Sequence, residues 1–119
     1  MAEATIILGR VKEDVPAVHT YYAGLIIDGV MAEKGESYIN ISYFKWYRDT
    51  AKVYAKKMRD AGITNPSYIM IVNGNRFRNS VDLRDEKDVT RFHCDEIPEA
   101  MLADFQGTLE ESLGFNVRG

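Results

Sequence analysis

Tyr38-Ile39-Asn40-Ile41-Ser42-Tyr43-Phe44 opens the stretch, Ser37 to Phe77, whose reading decides the fold. Ile39 and Ile41 fall on one face and Tyr38, Asn40 and Ser42 on the other, the period of a half-buried strand. Ala51, Tyr54, Ala55 and Met58 then recur at helical spacing, with Lys52, Lys56, Lys57 and Arg59 off that stripe. This predicts a helix that packs on the strand and shows a basic face to water. Gly62 is its natural stop. Tyr68 to Val72 is an apolar run of strand length, and Asn73-Gly74 after it is the strongest two-residue signal for a tight hairpin turn.

Toward the amino terminus, Thr5 to Leu8 is a short apolar run bounded by Gly9 and reads as a strand. Lys12-Glu13-Asp14 is a polar loop. Pro16 suits the first position of a helix, and Val18, Tyr21, Tyr22, Leu25 and Ile26 supply an apolar stripe, so a helix is predicted from about Pro16 to Ile26. Ile27 to Ala32 reads as a strand that turns at Glu33-Lys34-Gly35-Glu36 into the strand at Tyr38. The resulting order, β-α-β-β-α-β, predicts an α+β fold with a single antiparallel sheet and both helices on one face. The other face is left open, and alternation puts Tyr38, Asn40, Ser42, Tyr68 and Met70 on it. Rings and short polar groups on a wet sheet face make it a binding surface.

Toward the carboxyl terminus, Asn75 to Leu83 continues as a short strand in which Arg76 and Arg78 alternate with Phe77, and Asp85-Glu86-Lys87-Asp88 is a charged loop. Ile97, Met101, Leu102, Phe105, Leu109 and Leu113 form a helical stripe, with Pro98 near its first turn and Gly114 at its end. Gly107 interrupts this helix, marking either a close packing contact or a weak point. The chain thus divides into an α+β domain over residues 4–78 and an acidic extension over 79–119, whose helix near 97–113 is surplus to the six-element order.

With 119 residues, 45% of them hydrophobic, the chain can bury one core but not two. Residues 1–78 carry eleven Lys and Arg against eight Asp and Glu, net +3, and residues 79–119 carry four against ten, net −6. Such polarity suits head-to-tail packing in an assembly, an acidic tail folded back on a basic helix, or simply ordinary solvated faces. A lone Cys94 cannot form an internal disulfide. Met1-Ala2-Glu3-Ala4-Thr5 lacks a basic region, and Ile6-Ile7-Leu8 is too short for a signal core or a membrane span, which predicts a soluble protein made in the cytoplasm.

No catalytic constellation emerges. His19 and His93 have no sequence-local partners, and His93, Cys94, Asp95 and Glu96 lack a second ligand pair at metal-site spacing. Asp82, Asp85, Glu86 and Asp88 read as a solvated charge run, and glycine-rich phosphate loops are absent. No cofactor is expected. An RNA or single-stranded DNA surface is a rival reading, because the same order of elements serves RNA-recognition modules and Lys45, Arg48, Lys52, Lys56 and Arg59 supply cations. Against it, those cations lie on the helix, behind the sheet face that carries the aromatics, and the whole chain is acidic, net −3.

The run Tyr38 to Phe44, followed by Ala51, Met58 and Gly62, resembles the SPOR domain, a small peptidoglycan-binding module. Ile63-Thr64-Asn65-Pro66-Ser67-Tyr68-Ile69-Met70-Ile71-Val72-Asn73-Gly74-Asn75-Arg76-Phe77 is similar to the end of SPOR repeats of the Bacteroidetes type, and Ile6-Ile7-Leu8-Gly9 with Val15-Pro16 to the first half-repeat. Asn40 and Ser42 stand where the family usually has Gln and Gly, and Ile7 where its first half has Gln. The resemblance implies a non-catalytic module that binds cell-wall glycan strands through the open sheet face, with Tyr38, Asn40, Ser42, Tyr68 and Met70 as contacts. The alternative expectation is a structural subunit of a bacteriophage or contractile injection particle, using the same fold for contacts with other protein subunits or further copies of itself.

Overall fold

The structure is a computed structural model, and it describes residues 2–12, 19–37, 43–63, 69–74 and 95–117. Among the described residues the chain is an α+β fold with one mixed four-stranded sheet and two helices. In chain order the elements are β1 (Ala4–Lys12), β2 (His19–Ile27), β3 (Val30–Ser37), α1 (Tyr43–Asp60), β4 (Ile69–Asn73) and α2 (Glu99–Leu113). The strand order across the sheet is β3-β2-β1-β4, antiparallel except for the β1–β4 pair, which is parallel from Ala4 opposite Ile69 to Leu8 opposite Asn73.

β2 and β3 form a tight hairpin at Asp28-Gly29, with Ile27 opposite Val30. Both central residues have positive φ, 51° and 79°, as the two-residue turn that matches strand twist requires. The turn is tied to the start of the chain: Glu3 N–H donates to Asp28 Oδ1 at 2.8 Å, and Asp28 N–H to the Glu3 carbonyl at 2.9 Å. A bulge between Leu25 and Ile26 leaves Ala32 without an opposite residue. On the other side of β1, Gly74 N–H donates to the Leu8 carbonyl at 2.9 Å where β4 ends. Asp95 then takes up the same edge, exchanging backbone hydrogen bonds with Arg10 at 2.8 and 3.1 Å.

One core lies between the sheet and the two helices. Ala4, Ile6 and Leu8 of β1, Tyr21, Ala23 and Leu25 of β2, and Ile69 and Ile71 of β4 face it. Helix α1 contributes the predicted stripe of Ala51, Tyr54, Ala55 and Met58, and Tyr47 one turn before it. Its last turn carries Lys57 and Arg59, the charge that suits a helix C-terminus. It closes in a Schellman motif: Gly62, φ 77°, donates to the Arg59 carbonyl at 3.0 Å and Ile63 N–H to the Met58 carbonyl at 3.0 Å, with Met58 and Ile63 both buried. Helix α2 packs along α1 and buries Met101, Phe105 and Leu109. Phe105 meets Tyr47 and Tyr54 edge-on, at 6.0 and 6.5 Å between ring centroids. The terminal helix is therefore part of the one core rather than surplus to it, and it stops at Gly114, φ 83°, whose N–H bonds the Glu110 carbonyl.

Several sequence expectations are corrected. The predicted helix from Pro16 to Ile26 is strand from His19 onward, and residues 13–18 lie outside the described residues. β2 sits between β3 and β1 and is buried continuously from Thr20 to Leu25, so its apolar residues do not alternate and fall by chance on a helical stripe. The predicted strand Ile27 to Ala32 is broken by the Asp28-Gly29 turn, and Glu33-Lys34-Gly35-Glu36, expected as a turn, lies within β3. Tyr43 and Phe44 open α1, whereas Tyr38 to Ser42 lie outside the described residues. Gly9 sits inside β1 rather than ending it. The sheet is mixed, not wholly antiparallel, and the described order is β-β-β-α-β-α. Asn73 does not take the positive φ of the expected hairpin turn. Residues 75–94, which include the expected strand at Asn75 and the charged loop, lie outside the described residues.

Candidate functional site

The Asp28-Gly29 turn sends β3 back along β2 at the rim of the sheet, and among the described residues no strand pairs with its outer edge. Beside that edge, between β3 and α1, runs a groove of about 260 Å³. Its helix wall is built from Trp46, Thr50 and Val53, spaced i, i+4 and i+7, which places them on one flank of α1 next to the buried stripe. Its strand wall is the backbone around Gly35, where a Cβ would stand 3.6 Å from Trp46 Cζ2, an ordinary contact. Trp46 is half-buried, and Val53 is 48% exposed, one of three large apolar side chains open to solvent among the described residues.

What holds this wall in place is Tyr47, the next residue along α1. It is fully buried, and its hydroxyl reaches back to the sheet, 2.9 Å from the Tyr22 carbonyl and 3.2 Å from the Gly9 carbonyl. Gly9 and Tyr22 are partners across β1 and β2, so one phenol fixes the helix to two strands and with it the position of Trp46.

Two ion pairs flank the groove. Lys57 of α1 pairs with Glu33 of β3 at 3.2 Å, and Lys45 with Asp49 at 2.8 Å. The Lys45 hydrogen bond is the largest influence on the Asp49 carboxyl and holds it below the usual carboxylate range. Burial, reinforced by the nearby Glu33 carboxylate, pushes the Tyr54 phenol well above its ordinary value. The basic helix face expected from the sequence is likewise engaged. Arg48 Nε lies 2.8 Å from Asp104 of α2, Lys56 lies 3.5 Å from Asp60, and Arg59 donates to the Ser112 carbonyl. Lys52 acts on Asp49 through its charge. The acidic carboxyl-terminal helix thus folds back on the basic one.

Of the residues expected on an open sheet face, Tyr38, Asn40, Ser42 and Tyr68 lie outside the described residues. Met70 is described and 48% exposed on the face away from the helices. On that same face, by alternation, Ile7, Thr20 and Tyr22 are buried, so it is only partly open among the described residues. His93 and Cys94 also lie outside the described residues, and Asp95 serves the backbone bridge to Arg10. No group of three His, Cys, Asp or Glu side chains among the described residues could hold a metal ion. No helix among them is long and apolar enough to cross a membrane.

The groove is the feature that sequence reading missed. Asp28-Gly29 is as strong a hairpin signal as Asn73-Gly74, and it would have paired β2 with β3. No family model, curated protein or solved structure matches the chain.

Proposed function

We propose that the chain is a non-catalytic binding module of a larger protein assembly, which takes an extended polypeptide segment along β3. The observation that carries this is the open edge of β3 with an apolar groove beside it. An edge strand offers a row of backbone N–H and C=O groups, and an added strand satisfies them while alternate side chains enter a neighbouring groove. Val53 and Trp46 supply the apolar wall that such a side chain would cover.

The glycan reading that follows from the SPOR resemblance is the second proposal. It draws on Met70, the described member of its contact set that is open to solvent. One pair of experiments separates the two. A library of random peptides is panned on the immobilised protein with a Val53→Asp variant as the subtraction target, and the protein is pelleted with isolated peptidoglycan sacculi. Enrichment of extended, β-branched sequences that bind the parent and not the variant is the expected result. No enrichment, together with pelleting on sacculi that a Met70→Asp variant loses, would replace the polypeptide reading with the glycan one.

A further inference from the structure

We infer that the occupant of the β3 edge is a second copy of this chain, paired antiparallel about a two-fold axis at Gly35. This rests on the reading of β3 as the contact edge, and adds the partner and the register. Glu33 reaches Lys57 and Gly35 lies against Trp46, both on α1, so Glu33, Gly35 and Ser37 face the helix side. Lys34 and Glu36 face the opposite side and are exposed.

A two-fold axis that joins two identical edges into one antiparallel sheet stands perpendicular to the sheet. Residues brought opposite one another then share a face, and every register centres on one residue meeting its own copy. Centring on Glu33, Lys34 or Glu36 sets like charges directly opposite, which is destabilising. Centring on Ala32 falls on the bulge. Within Ala32 to Glu36 only the register at Gly35 avoids both. It sets Lys34 of each copy opposite Glu36 of the other, so that two symmetric pairs of opposite charge form on the exposed face. It also sets Ser37, whose hydroxyl is buried with no hydrogen-bond partner among the described residues, opposite Glu33 of the second copy.

Charged side chains ordinarily guard an edge against other chains. Here the sign changes between positions two apart, so the guard admits an antiparallel copy of itself. The two grooves come to lie side by side across the axis, and each exposed Val53 faces the other copy. The ladder from Glu33 to Ser37 is short against the ~800 Å² per partner of a standard interface, so the association is weak and depends on concentration.

Sedimentation velocity at low ionic strength, from micromolar to millimolar protein, tests this on the full chain. The parent should dimerise. Lys34→Glu and Glu36→Lys each turn both cross-strand pairs into like charges and should weaken association about tenfold or more, with unfolding midpoints unchanged because both residues are exposed. The charge-swapped double variant, and an equimolar mixture of the two single variants, restore opposite charges and should restore dimers. A parent that stays monomeric, or single variants that associate as tightly as the parent, would overturn the self-pairing. Peptide panning on the same protein then decides separately whether the edge takes another polypeptide.

Discussion

Replacing Tyr47 by Phe removes one oxygen from the centre of the molecule and leaves the ring. In the parent that hydroxyl is buried and lies 2.9 and 3.2 Å from two strand carbonyls, so its proton is shared between Tyr22 and Gly9. The ring contacts with Tyr21 and Phe105, both edge-on near 6 Å, survive the change. What is lost is one buried hydrogen bond shared between two carbonyls, which costs about 1–2 kcal/mol. A chain of 119 residues unfolds with an entropy of about 0.25 kcal/mol/K near 60 °C, so the midpoint should fall by about 4–8 °C. Trp46 is the single tryptophan and sits beside the mutated residue, so its fluorescence in a urea titration reports the wall of the groove, while far-UV circular dichroism reports the whole fold. The two transitions should coincide and shift together. An unchanged or raised midpoint would mean that the phenol does not anchor α1 to β1 and β2, and the account of how Trp46 is positioned would fail with it.

The carboxamide of Asn73 donates to the Ile97 carbonyl at 3.1 Å and accepts from its N–H at 2.9 Å, so Asn73→Ala should cost about 2 kcal/mol and speed hydrogen exchange at Ile97; an unprotected Ile97 amide in the parent would refute the clamp. Gly107 is exposed within α2 and a Cβ there would meet nothing within 4 Å, so Gly107→Ala should stabilise by about 0.5–1 kcal/mol in thermal unfolding, and a loss would show that the glycine serves a contact. Burial raises the Tyr54 phenol above its unfolded value of about 10. Its ionisation therefore favours the unfolded chain: the stability held by the neutral phenol is fully present below about pH 10 and drains as pH rises beyond it. Unfolding free energies from urea titrations should fall more steeply above pH 10 in the parent than in Tyr54→Phe, by up to about 1.4 kcal/mol per pH unit, and parallel curves would contradict the assignment.

Both helices were legible in the sequence because each repeats its apolar period over several turns, and the stops at Gly62 and Gly114 follow from the left-handed backbone that ends them. The sheet was less legible, for opposite reasons at its two misread strands. β2 is enclosed by neighbours and buried from Thr20 to Leu25, so solvent imposes no alternation on it, and Tyr21, Tyr22, Leu25 and Ile26 imitate a helix face. β3 is half in water, and its Glu33-Lys34-Gly35-Glu36 has the composition of a turn. Two dipeptides of the same hairpin chemistry behave differently: Asp28-Gly29 takes positive φ at both positions, and Asn73 does not. At Asn73 the side chain pairs with the backbone of Ile97, substituting for a strand neighbour, and Gly74 is buried, where a Cβ would press on Glu96 Cγ at 3.1 Å. Dipeptide chemistry states what a turn permits; the contact made at a distance decides whether it forms.

The same misreading hid the candidate site, since the groove exists only because the chain reverses at Asp28-Gly29. If residues 27–32 ran on as one strand, Lys34 and Glu36 would be turn residues with no defined face. The hairpin gives them one. It places Gly35 against Trp46, turns Glu33 toward Lys57, and leaves two opposite charges on the exposed side at a spacing that an antiparallel copy can match. Asp28→Pro tests this dependence, because proline cannot adopt the positive φ of Asp28 and lacks the N–H that bonds Glu3. The core of α1, α2, β1 and β4 does not pass through the turn, so the variant should keep its helical circular dichroism while Trp46 emission shifts and self-association disappears. Dimers that persist in that variant would place the contact on another surface.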